Sequence, residues 1–152
     1  MPEIKTQHLF TLRLDVAPPS RIGATPGRNL NVVSIAGGTF EGERLRGTLA
    51  PGGSDWLEPR PDGSNLINVR AVLQTDDGAL IAITYRGLRY TTPDVAERMQ
   101  RGDAVDPSEY YFRVSVMFET SSEKYAWLNH IIAVATGERP PSGPIYHVFE
   151  VL

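Results

Sequence analysis

Apolar and polar residues alternate along most of this chain, and glycine or proline breaks the alternation at short intervals. A period of two puts successive side chains on opposite faces of an extended strand, whereas a helix needs a period of about 3.6. With 14 glycines and 12 prolines among 152 residues, the chain carries the turns that many short strands require. The clearest segment is Tyr110–Glu119, where Tyr110, Phe112, Val114, Val116 and Phe118 oppose Arg113, Ser115 and Glu119. Asn65–Thr75 repeats the pattern, with Ile67, Val69, Ala71 and Leu73 opposite Asn68, Arg70 and Gln74.

Other strands follow the same logic. Thr6–Val16 alternates with His8, Phe10, Leu12 and Leu14 on one face, interrupted by Leu9, and ends at Pro18-Pro19 because proline donates nothing to a ladder. A loop over Ser20–Arg28 leads to Leu30–Ala36 and Thr39–Leu49, with Gly37-Gly38 as a turn or bulge between them. Asp76-Asp77-Gly78 is a hairpin signal joining Asn65–Thr75 to Ala79–Tyr90. Thr92-Pro93-Asp94 opens one short helix that stops at Gly102. Ser121–Trp127 reads as a helical turn, Asn129–Thr136 as a strand, and Ile145–Leu152 as the last strand. The expected fold is all-β: an antiparallel up-and-down β-barrel of about eight to ten strands with one short helix, forming a single domain over 1–152. The lumen of such a barrel holds one small ligand. Alternation separates two faces of each strand without saying which one points inward.

Composition removes several classes of function. Hydrophobic residues at 41% and charged residues at 22% describe an ordinary globular chain. A net charge of −3 gives no general attraction to nucleic acid or to an anionic membrane. The longest apolar run, Ile131 to Ala135, is far short of the ~20 residues of a spanning helix. There is no cysteine, which removes disulfides, thiolate catalysis and cysteine-ligated zinc and suits a reducing cytoplasm. The first residues lack the basic and apolar regions of a secretory signal, so the expected location is cytoplasmic.

An ordered set of short segments adds a family resemblance. They are Gly37-Gly38-Thr39-Phe40-Glu41-Gly42, Pro51 to Trp56, Asp76-Asp77-Gly78, Tyr111-Phe112-Arg113, Phe118-Glu119-Thr120 and Tyr125-Ala126-Trp127-Leu128-Asn129. In these the chain resembles the uncharacterised bacterial and fungal family catalogued as domain of unknown function 3237, from about the first strand to the C-terminus. The resemblance implies a single-domain β-barrel and no established reaction or cofactor. The chain departs from the family at Val114 and Val116, where relatives typically carry a threonine and a proline. Without that proline the strand should be more regular.

Residues 51–56, Pro-Gly-Gly-Ser-Asp-Trp, set a carboxylate beside an indole after two residues with no side chain. Read as a loop at a barrel rim, they make Asp55 an acid/base candidate and Trp56 an aromatic wall for a ligand. Each has a plainer role as well: Asp55 bonding its own turn, and Trp56 plugging one barrel end. If the polar strand faces point inward, Arg70 and Arg113 hold an anionic oxygen and Glu119 exchanges protons; if outward, they form solvated cross-strand pairs. Tyr125, Trp127 and Asn129 share a face only in an extended segment. Arg28 is a candidate anion anchor in a loop. His8, His130 and His147 come from separate strands with no spacing that requires them to converge, so no metal is expected.

These residues favour a cofactor-independent acid/base enzyme of isomerase, cyclase or hydratase type, acting on an aromatic or polyketide-like metabolite. A carrier of a small hydrophobic ligand uses the same pocket, and a filled core would make the chain structural. The expected partner is a small hydrophobic or aromatic molecule. Self-association into a homo-oligomer is compatible with the sequence.

Overall fold

The computed structural model describes residues 2–152. Nine strands run in chain order: β1 (Thr6–Val16), β2 (Ser20–Ala24), β3 (Asn29–Glu41), β4 (Arg46–Pro59), β5 (Ser64–Thr75), β6 (Leu80–Tyr90), β7 (Tyr111–Glu119), β8 (Ala133–Glu138) and β9 (Ile145–Val151). Helix α1 (Pro93–Gln100) lies between β6 and β7, and short 3-10 turns occupy Pro107–Glu109 and Ala126–His130. All pairings are antiparallel, in the order β1-β9-β8-β7-β6-β5-β4-β3, and β3 returns to pair with β1. Eight strands therefore close a barrel, and β2 adds a ninth as a hairpin on β3.

Bulges account for the irregularities in the sequence pattern. Leu9 breaks the alternation of β1 because His8 and Phe10 pair with the consecutive residues Phe149 and Val148, leaving Leu9 as an extra residue. Both Leu9 and Phe10 are buried in consequence, and His8 is exposed. Gly37-Gly38 sits at a bulge inside β3, and a Cβ on Gly38 would lie 2.2 Å from the carbonyl oxygen of Arg13. The chain reverses instead at 42–45, where Gly42 N–H donates to the Leu45 carbonyl. The expected strand Thr39–Leu49 is thus split between β3 and β4, and the expected loop Ser20–Arg28 contains β2.

The faces are settled by what fills the interior. Phe112, Val114, Val116 and Phe118 point inward, as do Ile67, Val69, Ala71 and Leu73, because only apolar groups lose nothing by leaving water. One half of the barrel is solid: Phe10 packs edge-on against Phe40 and Phe118 with ring centroids 5.4 and 6.0 Å apart. That end is closed by the 3-10 turn at Ala126–His130, which buries Leu128, and by Tyr125 just before it. The opposite end is covered by α1, started by Thr92, whose hydroxyl accepts from Val95 N–H. Between α1 and the solid half lies the largest cavity.

Candidate functional site

The cavity has a volume of about 770 Å³ and opens at the end where β4 and β6 finish and β9 begins. Ile35, Leu57, Ile67 and Val69 supply its apolar wall, and α1 contributes Ala96 and Met99. Phe112 and Tyr146 meet edge-on at 5.3 Å, and Tyr85 tilts against Tyr146 at 4.9 Å. Seven of the chain's prolines line the same space: Pro19, Pro59, Pro61, Pro93, Pro140, Pro141 and Pro144. Proline brings fixed φ and no N–H, so this rim is stiff and poor in donors before any ligand arrives.

Asp55 is in the cavity wall, although not on a rim loop. Residues 51–56 belong to β4, and the glycine pair forms a bulge in which β4 advances from Ala50 to Ser54 while β5 moves only from Val72 to Arg70. Gly52 takes φ 111°, and a Cβ on Gly53 would lie 2.9 Å from that of Ala71. Two extra residues leave the alternation in phase, so Asp55 points inward like Leu49, and Trp56 points out. Asp55 Oδ1 accepts from the backbone N–H of Asn68 on β5 at 3.0 Å. Burial raises the Asp55 carboxyl above its ordinary value, against the opposing pull of that hydrogen bond and of the Arg89 charge.

Two arginines share the interior with Asp55. Arg89, near the end of β6, follows Ile81, Ile83, Tyr85 and Gly87 on the inward face, and its guanidinium lies 5.7 Å over the Phe112 ring. Its acidity is increased first by burial and then by the nearby charge of Arg139. Arg139, just past β8, donates from its backbone N–H to Tyr110 Oη at 2.8 Å and from its side chain to the Pro140 carbonyl at 3.0 Å. Burial, and then the Asp55 charge, push the Tyr146 phenol well above its usual range, so it stays a neutral donor at physiological pH. Tyr85 Oη is buried with no partner in hydrogen-bond geometry, and burial together with Tyr146 raises it further.

The raised Asp55 carboxyl makes stability depend on pH. The folded state holds this proton more tightly than the unfolded chain, so the residue is without penalty below its ordinary value of 3.8. Its contribution becomes unfavourable as pH rises through the higher folded value. Urea midpoints of Asp55→Asn relative to the native protein should therefore improve between about pH 3 and about pH 7. Asparagine keeps the acceptor for Asn68 N–H, which isolates the ionisation.

The other sequence candidates lie elsewhere. Trp56 is 46% exposed, with Nε1–H donating to Ser54 Oγ at 3.2 Å, so it forms no cavity wall. Arg70, Arg113 and Glu119 are exposed on the outer face, which corrects the expectation that they meet in a lumen. The alternation that buries Ile67, Val69, Phe112 and Val114 forces their neighbours outward. Arg113 stacks 5.0 Å over Tyr111, and Arg70 and Glu119 border a separate groove that crosses β6 from β5 to β7. Tyr125, Trp127 and Asn129 seal the opposite, solid end instead of walling the cavity. Tyr125 Oη donates to Asp77, Arg44 stacks 3.7 Å from the Trp127 ring centre, and Asn129 bonds the backbone N–H and carbonyl of Thr120. Arg28 is in the β2–β3 turn, outside the cavity, 3.9 Å from Glu58. His147 bonds Glu138 and Thr11, His8 bonds Thr11, and among the described residues no three potential ligands gather around a metal position.

The fold and the spread of the short motifs agree with what comparison finds. A family model described as "protein of unknown function (DUF3237)" matches residues 4–151. The chain belongs to the DUF3237 family. A UPF0311 protein of Clostridium acetobutylicum is 32% identical over 151 residues, covering 98% of this chain and 95% of that protein. A β-barrel-like protein of Acinetobacter baumannii superposes with a TM-score of 0.86 at 35% identity, covering 100% and 98% of the two chains. More distantly, the hydroalkoxylation enzyme phnH of Penicillium herquei is 28% identical over 136 residues, covering 90% of this chain and 74% of that enzyme. In this DUF3237 chain no helix is long and apolar enough to cross a membrane among the described residues.

Proposed function

We propose that this protein is a cofactor-independent acid/base enzyme acting on a small, mostly apolar molecule held in the cavity under α1. The observation that carries the reading is the environment of Asp55, a carboxyl in the wall of the largest cavity whose ionisation is opposed by burial. A carboxyl that holds its proton more tightly than usual can give that proton to carbon or oxygen and take one back. The cavity size falls in the range of about 300–1,000 Å³ typical of small-molecule sites.

The hydroalkoxylation activity of the distant Penicillium relative supports chemistry of this class. Adding O–H across C=C forms one C–O and one C–H bond and is redox-neutral. The alkene π pair takes a proton, the hydroxyl oxygen attacks the resulting electron-poor carbon, and the hydroxyl proton leaves to a base. Protonated Asp55 supplies the first proton and, once ionised, receives the last. Arg89 and Arg139 stabilise the negative charge left on the hydroxyl oxygen when its proton departs ahead of C–O bond formation.

The test is incubation of a phenol carrying an ortho-allylic chain in deuterated water, followed by mass spectrometry. The enzyme reading expects a cyclised product with one carbon-bound deuterium, formed by the native protein and not by Asp55→Asn. Recovery of unchanged phenol that nevertheless co-purifies with the protein would identify a carrier.

A further inference from the structure

The charges inside the cavity differ from those on its rim. Arg21, Asp62 and Asp103 border the opening and are exposed. Asp62 already accepts hydrogen bonds from Ser64, and Asp103 pairs with Arg101 at 2.8 Å. Physiological salt screens the field of these exposed rim groups beyond about 8 Å. Deeper in, two guanidinium groups face one carboxylate. The Arg89 guanidinium lies over the Phe112 ring at 5.7 Å, and burial and the Arg139 charge make it easier to deprotonate than usual. The Arg139 side chain donates to one backbone carbonyl, that of Pro140. A buried cation whose donors are unfilled is costly unless an anion meets it.

We propose that the cavity binds its ligand as a monoanion whose charge lies on a ring-conjugated oxygen, a phenolate or enolate, held between Arg89 and Arg139. The proposal rests on the reading of this cavity as a substrate site and names the ionisation state that site selects. With Asp55 ionised the two guanidinium groups leave one excess positive charge, and with Asp55 protonated they leave two, so in either state the interior calls for an anion. The apolar walls, the Phe112 and Tyr146 rings and the proline rim leave an inorganic anion without contacts over most of its surface, whereas a planar ring covers them. A phenolate spreads its charge into the ring and so tolerates apolar walls better than a localised carboxylate does. Tyr146 of β9 remains protonated and adds a donor, and Tyr110 is turned to the Arg139 backbone. Among the described residues lining the cavity, Asp55 of β4 is the one carboxyl inside the rim and is the group a bound phenolate repels when ionised.

Binding should therefore lower the pKa of the ligand. The probe is 4-nitrophenol, whose phenolate absorbs visible light and whose ionisation falls near neutrality. Titrated with excess protein, its apparent pKa should drop by about one unit, a tenfold preference for the ionised form. Arg89→Gln and Arg139→Gln should each remove most of that shift, and Asp55→Asn should enlarge it. The native protein decides the matter even if an arginine variant fails to fold. An unchanged or raised pKa, an absence of saturable binding, or a shift that survives both arginine substitutions overturns the proposal. Failure here leaves Asp55 chemistry on neutral ligands intact. Phenolate binding in a protein whose turnover ignores Asp55→Asn would instead refute the acid/base reading and keep this one.

Discussion

Asp55→Asn is expected to lower turnover by about 10²–10⁴-fold while affinity for a neutral ligand changes little. Asparagine has nearly the same shape, keeps the acceptor for Asn68 N–H and stays on the inward face of β4. What it loses is the proton that the cavity has made easy to retain. A general acid/base contributes through the difference between transition state and ground state, so its removal should appear in kcat more than in KM. Single-turnover rates and equilibrium binding of the same ligand separate the two effects. Equal losses in affinity and rate would make Asp55 a binding group; an unchanged rate would return it to its hydrogen bond with β5.

The barrel was legible from the sequence because the alternation was tied to side-chain chemistry throughout. Strand β7 reads its inward face as Phe112, Val114, Val116 and Phe118, and the structure buries all four. The helix was equally plain, since Thr92, Pro93 and Gly102 act locally. The turn at 42–45 was not, because its Gly42 stands beside the apparent Gly37-Gly38 break and long strands absorb bulges without stopping. Asp55 reaches the cavity wall by a different route from the expected rim loop: the glycine pair makes a bulge within a strand, and alternation itself turns Asp55 in and Trp56 out.

The arginines show where the sequence carried a signal that went unused. Arg70 follows Asn68 and precedes Gln74 on a polar face, whereas Arg89 continues Ile81, Ile83 and Tyr85 on an apolar one. Likewise Arg139 continues Ala133, Ala135 and Gly137. Once a core must be filled, the apolar face of each strand points in, and a charged residue on that same phase near a strand end lines the mouth of the barrel. Gly137 has its own place in this arrangement, since a Cβ there would lie 2.6 Å from the Phe112 ring that underlies Arg89. The convergence of three charges from β4, β6 and the end of β8 depends on strand order around the barrel, which alternation within single strands does not contain.

Phe10→Ala is expected to cost about 3–5 kcal/mol, the largest loss of stability among single truncations considered for this chain. Phe10 is 0% exposed and joins Phe40 and Phe118 in the densely packed half. For a protein of this length each kcal/mol lowers Tm by roughly 2–4 °C, so the midpoint should fall by roughly 6–20 °C in a thermal melt. Tyr85→Phe is the matched control. It removes a buried hydroxyl that has no hydrogen-bond partner and should leave Tm unchanged or raise it. The pair tests how the barrel divides its labour. Dense aromatic packing around Phe10 holds the walls in register, and that rigidity lets the other half keep a hollow with a half-buried carboxyl and two half-buried cations, none of which stabilises the fold by itself. A loss below about 1 kcal/mol for Phe10→Ala would show that the solid half is soft, and a soft barrel could not hold Asp55, Arg89 and Arg139 at fixed positions around a ligand.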